Sequence, residues 1–283
     1  AYRAGFACLV GRPNAGKSTL TNALVGEKVA ITSSKPQTTR HAIRGISTTA
    51  TSQLILVDTP GLHRPRTLLG ERLNDLVRET LLQVDVVGFC LPADQRVGPG
   101  DQFIGAELVE LRRAKRTPVV AIATKSDLVS RDRLAQHLMA IDAMTEWDAI
   151  IPCSATRGDQ VDEVREVLAG FLPVSPPLYP EGTLSDESDT VMIAELVREA
   201  ALEGVRDELP HSLAVVVDEI VPREGRPEGS PLLDVRVTVF VERDSQKAIV
   251  IGRGGTRLRD VGTTARRGIE KVLGSRGHLD LHV

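Results

Sequence analysis

An octapeptide near the start, Gly11-Arg12-Pro13-Asn14-Ala15-Gly16-Lys17-Ser18, fits the pattern GxxxxGK[ST], and Thr19 follows it. In that pattern the glycines let the backbone curl until several N–H groups point inward. The N-terminus of the following helix stands behind them as a second source of positive charge. Lys17 is long enough to reach the β- and γ-phosphates of a nucleotide, and the Ser18 hydroxyl is placed to ligate Mg²⁺. The context agrees, because Phe6 to Val10 reads as a strand and Lys17 to Val25 as a helix. A Gly-rich turn ahead of a helix is the plain alternative, and it does not explain why every fixed position is filled. The chemistry implied is binding of a nucleoside triphosphate.

Three further pieces follow in order. Gln53 to Val57 is apolar and ends in Asp58-Thr59-Pro60-Gly61. An aspartate there suits the outer sphere of Mg²⁺, and the glycine lets its N–H approach a γ-phosphate without a Cβ in the way. Val119 to Ala123 ends in Thr124-Lys125-Ser126-Asp127, and Ile150 to Cys153 ends in Ser154-Ala155, whose Ala155 N–H can meet a base oxygen. Asp127 decides the base. Guanine offers adjacent donors at N1 and N2 to a carboxylate, whereas adenine would turn a lone pair toward it; such bidentate pairing discriminates by about 1–3 kcal/mol. The usual form of this motif is NKxD. Thr124 keeps a hydroxyl but loses the amide, so the departure bears on affinity more than on base identity.

Together these residues resemble a translation-factor-like GTPase. GRPNAGKS, KPQTTRHAIRGI with Gln37-Thr38-Thr39-Arg40-His41, and DTPGLH are similar to the bacterial Era family. The resemblance implies that Thr39 closes on Mg²⁺ and the γ-phosphate, so that Lys17, Thr39 and Gly61 form the catalytic set. Taken alone, Thr39 is one threonine among several in a polar stretch. Leu62 stands where Ras-like proteins carry the glutamine that orients the attacking water, and leucine cannot polarise water. Intrinsic hydrolysis is therefore expected to be slow, or the missing group comes from elsewhere. In related GTPases an asparagine at the position of Asn14 coordinates K⁺ between the phosphates. Ordinary turn chemistry explains Asn14 equally well.

These motifs need a frame. Strands are expected at 6–10, 42–49, 53–57, 84–91, 118–123 and 149–153, and helices at 17–25, 66–82, 100–114, 131–145 and 160–171. The alternation predicts an α/β domain over 1–173: a P-loop GTPase unit with a mostly parallel, doubly wound sheet and its ligand loops at the carboxyl ends of the strands. Leu172 to Gly182 holds four prolines in eleven residues and reads as a semi-rigid linker, assigned to 174–189. Beyond it the expected order is a helix at 190–209, strands at 213–221 and 232–241, helices at 245–251 and 256–273, and a strand from 278 to 283. Gly252-Arg253-Gly254-Gly255 sits between the last two helices.

That order with a GxxG turn resembles a smaller α+β type II KH domain over 190–283, in which the turn meets the phosphates of about four nucleotides of single-stranded RNA. Charge agrees. From Ser245 to Val283 eight Lys and Arg face three Asp and Glu, a net of +5, whereas from Glu181 to Asp244 six face sixteen, a net of −10. A basic patch on an acidic background is the footprint expected of an RNA-binding face, a merely solvated helix face being the alternative. The candidate RNA-binding residues are Lys247, Ile249, Ile251, Gly252, Arg253, Gly254, Gly255, Arg257 and Arg259.

The Era resemblance spans essentially the whole chain. It implies a GTP-controlled switch that hydrolyses GTP to GDP and binds 16S ribosomal RNA near its 3′ end during assembly of the 30S subunit. It also implies a cytoplasmic monomer with peripheral contact at the inner face of the membrane. A tRNA-modification-type GTPase and a non-hydrolysing GTP-binding scaffold are the alternatives; the GxxG and the basic C-terminal part argue against the first. The family's last strand runs on into a short tail, so the end at Val283 is expected to be incomplete. The start at Ala1 is expected to be processed or trimmed.

Composition is consistent with this. The 283 residues are 41% hydrophobic, 26% charged and 3% aromatic, so the core must be built from Val, Leu, Ile and Ala. The net charge of −3 alone argues against nucleic acid, and only its distribution reverses that. No apolar run is long enough for a membrane span and no signal peptide is visible. Cys8, Cys90 and Cys153 lie in or at the end of apolar runs without CxxC spacing, which predicts buried reduced thiols and no metal site.

Overall fold

A computed structural model of the chain describes residues 1–30, 43–58, 68–185, 187–203, 213–223 and 231–283. They fall into two compact units that divide at 186. The first runs β1 (Arg3–Val10), α1 (Lys17–Val25), β2 (Ile43–Thr48), β3 (Ser52–Asp58), α2 (Leu68–Gln83), β4 (Val86–Pro92), α3 (Pro99–Lys115), β5 (Val119–Thr124), α4 (Arg131–Asp142), β6 (Ala149–Pro152) and α5 (Val161–Gly170). Its sheet has the order β2-β3-β1-β4-β5-β6, with β2 antiparallel to β3 and every other pair parallel.

The apolar runs become central strands because both faces of this sheet are covered. Every residue of β4 and of β5 is buried. The period of two decides which layer each side chain meets. Ala7 and Leu9 join Leu20, Leu24, Val164 and Leu168, beneath α1 and α5. Cys8 and Val10 join Val77, Ile104, Leu108 and Ile141, beneath α2, α3 and α4. Each such leucine or isoleucine contributes about 1.5–3 kcal/mol by leaving water. Strand β1 begins at Arg3, earlier than the apolar run suggests, because its parallel partner β3 takes up the pairing from Ser52 onward.

The proline-rich stretch after α5 is bonded to this unit. Pro173 accepts from Ala4 N, Tyr2 accepts from Ser175 N, and Leu184 accepts from Ile46 N at 2.9 Å. Gln53, fully buried in β3, accepts from Leu178 N at 2.7 Å and Tyr179 N at 2.9 Å. Its amide donates to Tyr179 O at 3.0 Å. Prolines deprive the stretch of N–H groups for a ladder, and a buried side-chain amide supplies the missing bonds.

The second unit runs α6 (Asp189–Leu202), β7 (Leu213–Pro222), β8 (Leu232–Val241), α7 (Asp244–Ile251), α8 (Thr256–Leu273) and β9 (Arg276–His282). Its sheet is β7-β8-β9, antiparallel then parallel. This is the αββααβ order expected. Helix α6 stops at Leu202 and not at 209. Glu203 is extended, and the Arg257 guanidinium donates to the carbonyls of Ala201 and Glu203, both at 3.0 Å, closing the helix end. Residues 204–209 lie outside the described residues. Strand β9 starts at Arg276, not 278, and pairs with β8 at seven positions, from Leu232–Arg276 to Thr238–His282. Among the described residues, no helix is long and apolar enough to cross a membrane.

Candidate nucleotide and RNA sites

The phosphate loop leaves β1 at Val10 and enters α1 at Lys17. Gly11 needs its small side: a Cβ there would stand 2.7 Å from the carbonyl oxygen of Cys90 in β4. Asn14 (φ 63°) and Gly16 (φ 90°) lie in the left-handed region. Left-handed residues set among ordinary ones make the concave backbone of an anion nest. Helix α1 has no side-chain cap and no acidic residue in its first turn, so its positive end faces no side-chain anion of its own. Lys17 is buried and its Nζ donates to the carbonyls of Gly11 at 3.2 Å and Arg12 at 3.1 Å. The ammonium therefore lies folded over the loop. Ser18 and Thr19 follow, half-buried, in the first turn of α1, while Pro13 is half-buried and Asn14 exposed in the loop itself.

The base end is built at the adjoining strand ends. Thr124 closes β5, is buried, and donates its hydroxyl to the carbonyl of Ala15 at 2.6 Å. One threonine thus ties the end of β5, where Thr124-Lys125-Ser126-Asp127 begins, to the loop after β1, with β4 lying between the two strands. Lys125 takes a left-handed conformation (φ 58°) and begins a short 3₁₀ turn, Ser126–Leu128, that carries Asp127 half-exposed. The turn is pinned to β6, for Ser126 N donates to Cys153 O at 3.1 Å. Ser154 is fully buried and its hydroxyl accepts from Arg157 N at 3.2 Å, which shapes the turn presenting Ala155. Burial pushes the Cys153 thiol up to about 12, so it stays protonated and inert at neutral pH. Thr39, Thr59, Pro60, Gly61 and Leu62, and the side chain of Asp58, lie outside the described residues. The backbone of Asp58 is paired beside Leu9, one residue before the end of β1.

In the second unit α7 ends at Ile251 and the GxxG turn follows at once. Gly252 (φ 73°) could not carry a Cβ, which would stand 2.6 Å from the Cβ of Arg257. Gly254 (φ 60°) and Gly255 (φ 75°) face open space. Arg253, Lys247 and Arg259 are exposed, and so is Ile249 at 48%, while Ile251 is half-buried. Arg257 is different: its guanidinium closes α6, so its first task is structural. Beside the turn runs a groove of about 360 Å³ lined by Leu258, Arg259, Gly262, Arg266, Leu279 and Leu281, among others. Sequence reasoning counted Arg266 in the basic stretch without placing it at the site, and missed Leu258, Gly262 and the two leucines of β9. A glycine inside a helix was the one signal to follow, since it loses about 1 kcal/mol against alanine unless close approach requires it. At Gly262, however, a Cβ would meet Leu281 at 3.5 Å, an ordinary contact, so close approach does not require the glycine.

Comparison with known proteins agrees with both halves. Residues 6–125 match the family described as 50S ribosome-binding GTPase, and residues 208–282 match the KH domain family. GTPase Era of Streptomyces coelicolor is 62% identical over 287 residues, covering 100% of this chain and 90% of that protein. GTPase Era of Mycolicibacterium smegmatis is 59% identical over 283 residues, covering 100% and 93%. Among solved structures, Era in complex with MgGDPNP and nucleotides 1506–1542 of 16S ribosomal RNA superimposes with a TM-score of 0.92 at 33% identity, covering 100% of this chain and 93% of that one. A single-substitution variant of Aquifex aeolicus Era bound to GDP·AlF4⁻ gives 0.91 at 33% identity, covering 99% and 93%. With a phosphate loop tied to a guanine-type turn in one unit, a GxxG turn beside a basic groove in the other, and relatives matched along its full length, this chain belongs to the GTPase Era family.

Proposed function

We propose that the chain binds 16S ribosomal RNA near its 3′ end under the control of GTP and GDP, and that it assists assembly of the 30S subunit. The observation that carries the reading is the pairing, on one chain, of a GTPase site with an exposed GxxG turn flanked by Arg253, Arg259 and Lys247. A relative of the same family, alike over the whole chain, holds a magnesium GTP analogue together with a segment of 16S RNA. We assign the nucleotide to residues 1–173 and the RNA to 190–283, with 174–189 joining them.

The residues fit a magnesium nucleotide. Lys17 lies folded over the loop on the Gly11 and Arg12 carbonyls, from which its ammonium would turn to a phosphate oxygen. Ser18 and Thr39 would hold Mg²⁺ with Asp58 in its outer sphere, and the metal would neutralise charge developing on the β- and γ-oxygens. Asp127 would accept from guanine N1 and N2, Ala155 N–H would meet the base oxygen, and Gly61 N–H would meet the γ-phosphate. Leucine at 62 leaves water unpolarised, so hydrolysis by the chain alone is slow. A K⁺ ion held by Asn14 would supply the missing charge. The chain works in the cytoplasm, as a monomer, with peripheral contact at the membrane's inner face.

The test is filter binding of a 16S fragment ending at the 3′ terminus, with a non-hydrolysable GTP analogue or GDP present. Tighter binding with the analogue is expected. Equal binding in both states, or no preference over an unrelated RNA of equal length, refutes the switch.

A further inference from the structure

We infer that Asp101, which belongs to none of the nucleotide motifs, is a positioning residue for the phosphate loop and acts on the nucleotide through Arg12. The inference rests on the reading of residues 11–18 as the phosphate site. Asp101 is the third residue of α3 and its side chain is 1% exposed. Its two oxygens are divided between two tasks. One accepts from Gly98 N at 2.9 Å, closing the start of α3, and the other accepts from Arg12 Nε at 2.8 Å. Both oxygens of this deep carboxylate are thus met, at the positive end of a helix.

Arg12 is held at its other end as well. Its carbonyl accepts from Ala15 N and from Lys17 Nζ, both at 3.1 Å, so the residue that Asp101 grips also forms the shoulder of the turn. The slot for its side chain is narrow: a Cβ on Gly100 would stand 2.6 Å from the Cδ of Arg12. Arg12 Nη2 is buried with no hydrogen-bond partner among the described residues. Helix α3 is itself fixed, with Ile104 and Leu108 in the core. When the Lys17 ammonium turns from the Gly11 and Arg12 carbonyls to a phosphate, the loop loses two internal bonds. The Arg12–Asp101 pair then still ties its outer half to the helix layer.

The test uses the full chain, with fluorescent GDP and GTP analogues for affinity and single-turnover hydrolysis at saturating GTP. Asp101→Asn keeps an acceptor for Gly98 N but turns an amide NH2 toward Arg12 Nε, so both the ion pair and its hydrogen bond are lost. It and Arg12→Gln should each weaken nucleotide binding about tenfold, the scale of one charge-assisted bond. The double variant should be no worse than either single, because the two act as one pair. In Asp101→Asn, hydrolysis of bound GTP should stay within about twofold, since Asp101 touches neither nucleotide nor the loop's backbone donors and makes no contact that changes in the transition state. Gly100→Ala crowds Arg12 and pushes it off Asp101, so nucleotide binding should weaken about as much as in Asp101→Asn. A merely structural role does not give that combination of weakened binding and retained hydrolysis. Affinity within about twofold of wild type in Asp101→Asn or Gly100→Ala, or losses that multiply in the double variant, overturns the inference. A wild-type chain that fails to bind the analogues overturns the phosphate-site reading, and the inference with it.

Discussion

The Thr124–Ala15 bond makes a sharp prediction, because the departure from the usual motif falls on the residue that joins the two halves of the nucleotide site. Thr124→Val keeps the branched shape and removes the hydroxyl that donates to Ala15 O at 2.6 Å. Ala15 is fully buried, so its carbonyl loses that donor where water cannot replace it. Leaving such an acceptor unmet costs about 1–3 kcal/mol. The added methyl returns about 0.8 kcal/mol. The net destabilisation is then about 0.2–2 kcal/mol, a fall of up to roughly 8 °C in the melting midpoint of a domain of this size. Because Ala15 lies in the phosphate loop, nucleotide affinity should drop about three- to tenfold as well. Thr124→Ser, which keeps the hydroxyl and drops the methyl, should bind as wild type. Thermal melts of the nucleotide-free protein and titration with a fluorescent GDP analogue give both quantities. If the valine variant binds normally and the serine variant does not, the hydroxyl is irrelevant and packing is the cause.

Three other expectations can be checked directly. Asp127→Asn should weaken GTP binding by at least about 2 kcal/mol and shift preference toward xanthosine triphosphate, whose C2 carbonyl accepts from the new amide; unchanged GTP affinity in a competition titration would remove the guanine assignment. Gly254→Asp should stay folded, because its surroundings are open and aspartate tolerates φ near 60°, yet lose RNA by sterics and repulsion. Arg253→Ala should only weaken RNA binding and lower its salt slope by about one counterion, with full RNA affinity in Gly254→Asp as the refuting result. Hydrolysis by the wild type should be faster in K⁺ than in Na⁺ and lose that difference in Asn14→Ala; equal rates in both salts retire the cation.

Motifs that are contiguous were legible. The octapeptide, TKSD and GRGG could be placed on strand ends and between helices because local apolar periodicity fixes both element and loop. Element limits were legible less well, since they depend on partners. The periodicity of helix α6 runs on past Leu202, but Arg257, more than fifty residues away, closes it. Asp101 and Gly100 carry no signal of their own: an aspartate after Pro-Gly reads as a helix cap, and only the fold brings Arg12 across it. Likewise nothing in Gln53 announces four bonds, because its partners lie within β2 and in a proline-rich stretch. Side chains that join distant segments are invisible to spacing.

The proline-rich strap also sets where the first unit can be cut. Severing the chain at 173 would strip Gln53 of Leu178 and Tyr179 and uncover a side chain that is fully buried in β3. Each bond lost in this way costs about 1 kcal/mol, together a large share of an ordinary domain's whole stability. A nucleotide-binding fragment ending at 173 should therefore be fragile and sticky, whereas one ending at 185 keeps its seam closed. The portable module is thus longer than its catalytic motifs. A protease that nicks between Val174 and Ser185 would release no independent half; it would loosen the β2–β3 hairpin from which the GTPase sheet is edged.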